Sequence, residues 1–564
     1  MRARDDESRG PMSEETKKSM PGSAKKGGFA RRALPAVVLI AIGLLISLPR
    51  PYHERTYLIE AGGCRLETTV FEPANGASIN ASPSPTPGTE SSEAQSVGTV
   101  ILFHGLAANR RIMSYLAQGF ALQGLRVFVP DLPGHGKTSG PFSAARAEEC
   151  GENLLHELRS RGLADPKSTF LAGHSMGGDI AIRLAARVPV AGVIAISPAP
   201  MRAAHGATAE ALLFDNPPAL APNTEIINGT LEPAALTGNA RDLLRPGIDL
   251  NSHYDLVTGA THGGLIVSPE ALRLALGWTA NVLQLPKHEQ NRAALKDGPY
   301  IGLPSRVQLF GGLIGLTGLL LIAVPFLREA SGMVAATKVA NVSMPNESRV
   351  PLWRAASEIV VVGFVMVVVL LHWTPLRLVR LFEGDYLAGF LLLSGLLLIG
   401  LHWKAFKALF DFRTASAIGA MFGGAVLLLL FSAWLELSLT EAWLNAARWQ
   451  RFALLFIALV PCMIAEEILL GSLPAQNLAV KQWKRVLVAQ FYRLLIWLPL
   501  LTGVLYLHSG QILLILLSPY IAAFSIPQRR GMDVVREVTG SAAAAALFGA
   551  ILLAGLFLVI FPLN

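Results

Sequence analysis

Apolar and polar positions divide this chain into two regimes. From about residue 51 to 305 they alternate over short distances, as in a globular domain with its own core. From Val307 onward they gather into long apolar runs: Val307–Leu327, Ala356–Trp373, Tyr386–Trp403, Ala415–Leu437, Phe452–Leu470, Val488–His508, Gln511–Phe524 and Ala542–Phe561. Most reach or approach the roughly 20 residues a helix needs to cross a bilayer, Gln511–Phe524 being the shortest. They predict an all-α transmembrane bundle of about eight helices over residues 306–564. An earlier run from Ala33 to Leu48 closes at Pro49-Arg50-Pro51 with no small-residue cleavage site after it. It predicts an uncleaved transmembrane signal anchor at 33–49. Residues 1–32 are polar and basic without periodicity, which predicts a disordered cytoplasmic tail.

Within the first regime, strand patterns fall at Thr56–Glu60, Arg65–Phe71, Gly98–Phe103, Arg126–Val129, Ser168–Ala172, Val190–Ile196, Thr224–Asn228 and His253–Val257. Helical patterns fall at Arg110–Gln123, Ala144–Arg161, Asp179–Ala186 and Pro269–Val282. Strand and helix in alternation predict a mostly parallel sheet with helices on both faces. The Ser/Pro/Thr-rich stretch from Ala74 to Val97 reads as a flexible surface loop. Pro198 to Pro222 has the length of a small lid, or of a plain connection.

Composition sharpens this division. A chain of 564 residues that is 52% hydrophobic and 16% charged is too apolar to be wholly soluble. The net charge of +8 is spread between the basic tail and short loops, which argues against a nucleic-acid partner. Among the basic residues, Arg328, Lys338, Arg349 and Arg354, then Lys404, Lys407 and Arg413, then Lys481, Lys484 and Arg485, then Arg529, Arg530 and Arg536 fall in predicted inner loops. Arg377 with Arg380, and Arg448 with Arg451, fall in predicted outer loops with acidic neighbours. This alternation predicts a multi-pass protein of a bacterial-type cytoplasmic membrane, its N-terminus inside and residues 51–305 outside. Trp353, Trp373, Trp403, Trp434 and Trp483 near span ends fit an interfacial belt. Cys64, Cys150 and Cys462 have no metal-ligand spacing. Cys64 and Cys150 could pair outside the cytoplasm, but two free thiols are the expectation.

The candidate chemistry centres on Gly173-His174-Ser175-Met176-Gly177-Gly178, between a strand and a helix. Flanking glycines permit a turn tight enough to lift the Ser175 hydroxyl above the sheet, at the positive end of the next helix. After it come Glu232, in the turn Gly229-Thr230-Leu231-Glu232-Pro233, and His262, in Gly259-Ala260-Thr261-His262-Gly263-Gly264. Each follows a strand, in the order acid then histidine. Asp242, Asp249 and Asp255 are alternative acids. His253 begins its strand, at the wrong sheet edge, while His104 and His135 shape turns and His174 packs under the elbow.

With His104-Gly105-Leu106 and Asp131-Leu132-Pro133-Gly134-His135-Gly136 added, residues 55–285 resemble the α/β-hydrolase superfamily, in its monoglyceride-lipase and serine-aminopeptidase-like branch. The resemblance implies an oxyanion hole from the backbone N–H groups of Leu106 and Met176. That family usually carries Asp where Glu232 stands. Neither motif implies a cofactor or a metal. The expected function is a membrane-anchored serine hydrolase that cleaves an ester or related acyl bond, with an acyl substrate, lipid included. The other class is a transporter or channel-like bundle carrying a hydrolase-derived sensing domain. In the bundle, Ala465-Glu466-Glu467-Ile468 locally resembles the intramembrane prenyl-protease family. It lacks that family's following Arg and its Phe-x-x-x-His before His508, so Glu466 or Glu467 is expected to pair with a polar group inside the bundle.

Overall fold

The computed structural model describes residues 28–47, 54–73, 96–199, 214, 220–244, 252–284, 303–334, 350–373, 377, 379–410, 413–471, 479–507 and 511–564. Residues 1–27 of the basic tail, most of the 74–97 loop, the bulk of the lid-length stretch, Asp249, Lys338, Arg349 and His508 lie outside the described residues, while the last five residues of the tail, expected to be disordered, open a helix at Gly28.

The first domain is an eight-stranded sheet of order β1-β2-β4-β3-β5-β6-β7-β8. Its strands are β1 (Glu54–Ala61), β2 (Cys64–Phe71), β3 (Gly98–Phe103), β4 (Leu125–Pro130), β5 (Thr169–His174), β6 (Gly192–Ile196), β7 (Thr224–Gly229) and β8 (His253–Val257). The hairpin β1–β2 turns at Gly62-Gly63, both with positive φ, and β2 runs antiparallel to β4. The remaining neighbours are parallel. The central strands β3 and β5 are buried along their whole length, as a sheet covered on both faces requires. One apolar layer is built with α3 (Ala144–Ser160) and α4 (Met176–Ala185). The opposite layer is built with α2 (Ser114–Leu122) and α6 (Pro269–Val282). A short helix, α5 (Ala234–Leu243), follows the Glu232 turn; its small and polar residues give it too weak a periodicity to read from sequence. Arg110–Met113, expected as the first turn of α2, is a 3-10 turn capped by Asn109.

The cysteines correct the sequence expectation. Cys64 and Cys150 form a disulfide that ties β2 to α3 across a sequence separation of 86, with Cα atoms 5.6 Å apart. Spacing alone cannot show that two distant cysteines meet, because the fold brings α3 onto the hairpin.

The C-terminal half is helical: α7 (Val307–Val334), α8 (Leu352–His372), α9 (Gly384–Leu401), the short α10 (Trp403–Leu409), α11 (Thr414–Ser438), α12 (Ala446–Leu469), α13 (Ala479–Tyr506), α14 (Ile512–Thr539) and α15 (Ala542–Ile560). Among the described residues, seven of these are long and apolar enough to cross a membrane. The exception besides α10 is α14, whose first half is apolar and whose second half carries charge. Ahead of the first domain, α1 (Gly28–Ser47) packs against α7, its Gly43 meeting the backbone of Gly311 and Gly315 so closely that a side chain there would collide. Such small-residue contacts let helices approach where no hydrophobic drive exists between them.

Several predicted loop charges are instead helical. Arg529, Arg530 and Arg536 lie within α14, Lys484 and Arg485 within α13, and Arg448 and Arg451 within α12. For Arg485, Arg529 and Arg536 the reason is a buried ion network at the bundle end remote from the sheet, whereas Arg448 bonds carbonyls at the end beside the first domain. Glu467, wholly buried, is paired by Arg485, Arg529 and Arg536; Glu466 is paired by Arg493 and Arg529; Asp533 adds Arg485 and Arg529. Pairing of this kind lets charged side chains lie inside the bundle, where an unpaired charge would be costly. Trp434 is also no belt residue. It is buried, with Nε1 donating to the Gly312 carbonyl at 2.9 Å.

Replacing both cysteines of the Cys64–Cys150 bridge by serine is expected to lower stability by about 2–4 kcal/mol, read by thermal unfolding of the solubilised protein. In the same assay, Arg529→Met leaves three buried carboxylates, Glu466, Glu467 and Asp533, short of a partner, and a loss of about 3–5 kcal/mol is expected.

Candidate active site

At the end of β5 the chain turns through Ser175 with φ 53° and ψ −122°, then enters α4 at Met176. The turn depends on its glycines. A Cβ on Gly173 would stand 2.2 Å from the Gly177 carbonyl carbon, and one on Gly177 would stand 2.3 Å from the Phe103 carbonyl oxygen. Only glycine allows the strand, the helix and β3 to approach this closely. The loop after β3 closes on the serine: a Cβ on Gly105 would lie 3.2 Å from Ser175 Cβ. Among the described residues, the N–H groups of Leu106 and Met176 meet no backbone or side-chain acceptor. Met176 is the first helical residue, so its N–H has no partner within the helix.

His262 and Glu232 meet beside this turn, with Nδ1 and Oε1 2.8 Å apart. The carboxylate is surrounded by donors. Asn228 Nδ2 and the Gly229 N–H reach Oε2 at 2.8 and 2.7 Å, and the Ser197 hydroxyl donates to Oε1. Burial works against its charge, yet the bonds from His262, Ser197, Gly229 and Asn228 hold the Glu232 carboxyl below its usual range. Ser175 is brought next to this pair: the rings of His174 and His262 lie 4.6 Å apart, and His174 Nε2 is 3.0 Å from the His262 carbonyl. Ser175 Oγ itself makes no hydrogen bond to a described residue, a looseness common before substrate is bound.

The other histidines have structural surroundings. Burial, then the neighbouring His262, pushes His174 down to about 3, so its ring is neutral. His104 Nε2 accepts from the Leu132 N–H, and His135 Nε2 accepts from the Ala107 N–H, so both fix the loops around the serine. His253 pairs in register with Glu225 at the opposite sheet edge. Asp255 faces Glu225, whose carboxyl burial and Asp255 push up to about 9. Among the described residues, no group of His, Cys, Asp and Glu side chains could hold a metal ion.

Sequence reasoning missed Ser197. It follows the last residue of β6 with φ 46° and is wholly buried, its Oγ 2.7 Å from His262 Nδ1 as well as bonded to Glu232. The only signal was a strained position one residue past a strand end, which no sequence pattern reveals. Glu has one more rotatable bond than Asp, and the added hydroxyl restrains that longer side chain against the imidazole. Ser197→Gly relieves the positive φ and removes the hydroxyl. The expected outcome is unchanged or higher thermal stability, with kcat/KM on p-nitrophenyl acetate reduced roughly tenfold.

Comparison with known proteins follows this geometry. The family model described as "Serine aminopeptidase, S33" matches residues 94–243. "Lipase 1" of Psychrobacter immobilis is 36% identical over 91 residues, which are 16% of this chain and 27% of that protein. "Lipase 3" of Moraxella sp. (strain TA144) is 35% identical over 91 residues, 16% of this chain and 28% of that protein. The chain thus spans under a third of the length of these two lipases. Among solved structures, TT1662 from Thermus thermophilus aligns with TM-score 0.31 and 20% identity, covering 42% of this chain and 100% of that one. Residues 94–243 match the serine aminopeptidase family of α/β hydrolases, set in a chain whose helical bundle that family model does not reach.

Proposed function

We propose that this protein is a membrane-mounted serine hydrolase that cleaves an ester or related acyl bond through an acyl-enzyme. The observation that carries the reading is the strained Ser175 beside a His262–Glu232 pair at 2.8 Å. A binding module has no need of a nucleophile turn, an imidazole held by a buried carboxylate and two open N–H groups together. The relatives named as lipases favour a carboxylic ester.

In this mechanism His262 takes the proton of Ser175 as Oγ attacks the acyl carbon, and Glu232 holds the imidazole and stabilises its charged form. The oxyanion is bound by the Leu106 and Met176 N–H groups. His262 then protonates the leaving alcohol, and water, activated by the same imidazole, releases the acid. The Cys64–Cys150 disulfide supports placing this domain outside the cytoplasm, with the bundle in the membrane.

Purified full-length protein is expected to form a covalent adduct with a fluorophosphonate probe, and Ser175→Ala to form none. Wild-type protein that is folded and unlabelled would overturn the reading. Glu232→Gln is expected to lower kcat on p-nitrophenyl acetate roughly 10³–10⁴-fold. Because His174 stays neutral and Glu232 stays ionised, neither is expected to add a proton to the acid limb of the pH–rate profile. An acid limb steeper than one proton in the pH–rate profile would show that a second group is involved.

A further inference from the structure

The catalytic edge of the sheet is not open to bulk water on all sides, because it is the edge that docks on the bundle. Leu106, beside the serine, packs against the apolar core of the bundle as well as that of its own domain, and Ala107 packs against the bundle. On the other side of the serine, the His262 loop reaches α14: a Cβ on Gly263 would stand 3.3 Å from the Tyr520 hydroxyl. The start of α14 is marked by Glu383, whose carboxylate accepts the Leu513 N–H at 2.7 Å where α9 begins. Tyr520 lies about 12 Å farther along the helix axis, at 1.5 Å per residue. The catalytic loop therefore descends beside a bundle helix and does not merely rest on its end.

Tyr520 is 63% exposed, and the same helix exposes Leu516 at 38% and Ile526 at 43%. From Ile512 to Ile526 this helix carries no charged residue. An exposed, uncharged helix face of this kind is what a bilayer favours. Its Tyr520 hydroxyl lies against Gly263, the residue after His262.

We infer that the substrate is an ester-linked lipid of the bilayer, entering sideways along α14 with its acyl chain on the Leu516–Tyr520–Ile526 strip and its ester at Ser175. This rests on the hydrolase reading above and adds the substrate class and route. Ser175 Oγ bonds to the acyl carbon as the bond to the lipid alcohol breaks. That alcohol leaves with the proton from His262, and water then releases the fatty acid.

The test uses the full-length protein in nanodiscs of phosphatidylethanolamine, phosphatidylglycerol and monoacylglycerol. Wild-type protein is expected to release fatty acid. In Ser175→Ala, lipid carrying a photoreactive diazirine on its acyl chain is expected to label the α14 peptide spanning Leu516 to Ile526 above the other bundle helices. Tyr520→Lys is expected to lower fatty-acid release at least about tenfold relative to p-nitrophenyl acetate turnover, since a charge then sits in the apolar path. Turnover of p-nitrophenyl acetate without fatty-acid release, even labelling of all helices, or equal loss of both activities in Tyr520→Lys would overturn the lipid route alone. Absence of both activities together with absence of a fluorophosphonate adduct would overturn the hydrolase reading beneath it.

Discussion

At Ser175 the backbone takes a conformation that an L-residue adopts only under constraint, at a cost of order 1–3 kcal/mol. The surrounding fold supplies that constraint. β5 is buried between β3 and β6, α4 leaves in the opposite direction, and Gly173 and Gly177 allow the crossing. The same turn places the Met176 N–H at a helix start, positions Gly105 and Leu106 over the serine and sets where an imidazole must stand. Glu232 and His262 reach that place from beyond the ends of β7 and β8, the strands that follow β6 in the sheet.

The second constraint is the mount. Arg448, buried at the start of α12, donates to the carbonyls of Leu558 and Phe561 in the bundle and of Gly134 in the hydrolase domain. The chain end is drawn into the same junction: Leu563 exchanges backbone hydrogen bonds with Gly134 and Phe142. Arg110 bridges Asp131 to Glu441, Lys137 pairs with Glu436, and Asn109 donates to Thr440 at 2.7 Å. These contacts come from loops after β3 and β4, which also frame the serine. The bundle thereby fixes the loops that surround Ser175.

The strands and the elbow were legible because period-two patterns and a Gly-x-Ser-x-Gly turn are local features of the chain. The order of Glu232 and His262 after the serine was legible for the same reason, since each follows a strand end. Ser197 was not, because its role depends on a side chain arriving from β7 and another from beyond β8. The Cys64–Cys150 bridge was hidden likewise by the packing of α3 on the first hairpin. The bundle charges misled in an instructive way. Arg485, Arg529 and Arg536 look like loop residues until Glu467, from another helix, is seen to meet them. Arg448 looks like an outer-loop charge until its carbonyl partners appear.

The central claim is that Ser175 carries the acyl group between two half-reactions. The direct measurement is acid quenching of the full-length enzyme during turnover of p-nitrophenyl acetate, followed by peptide mass analysis. An acetyl adduct is expected on the peptide containing Ser175, and none on that peptide in Ser175→Ala. Steady product formation with no adduct, or an adduct on another residue that survives Ser175→Ala, would contradict it.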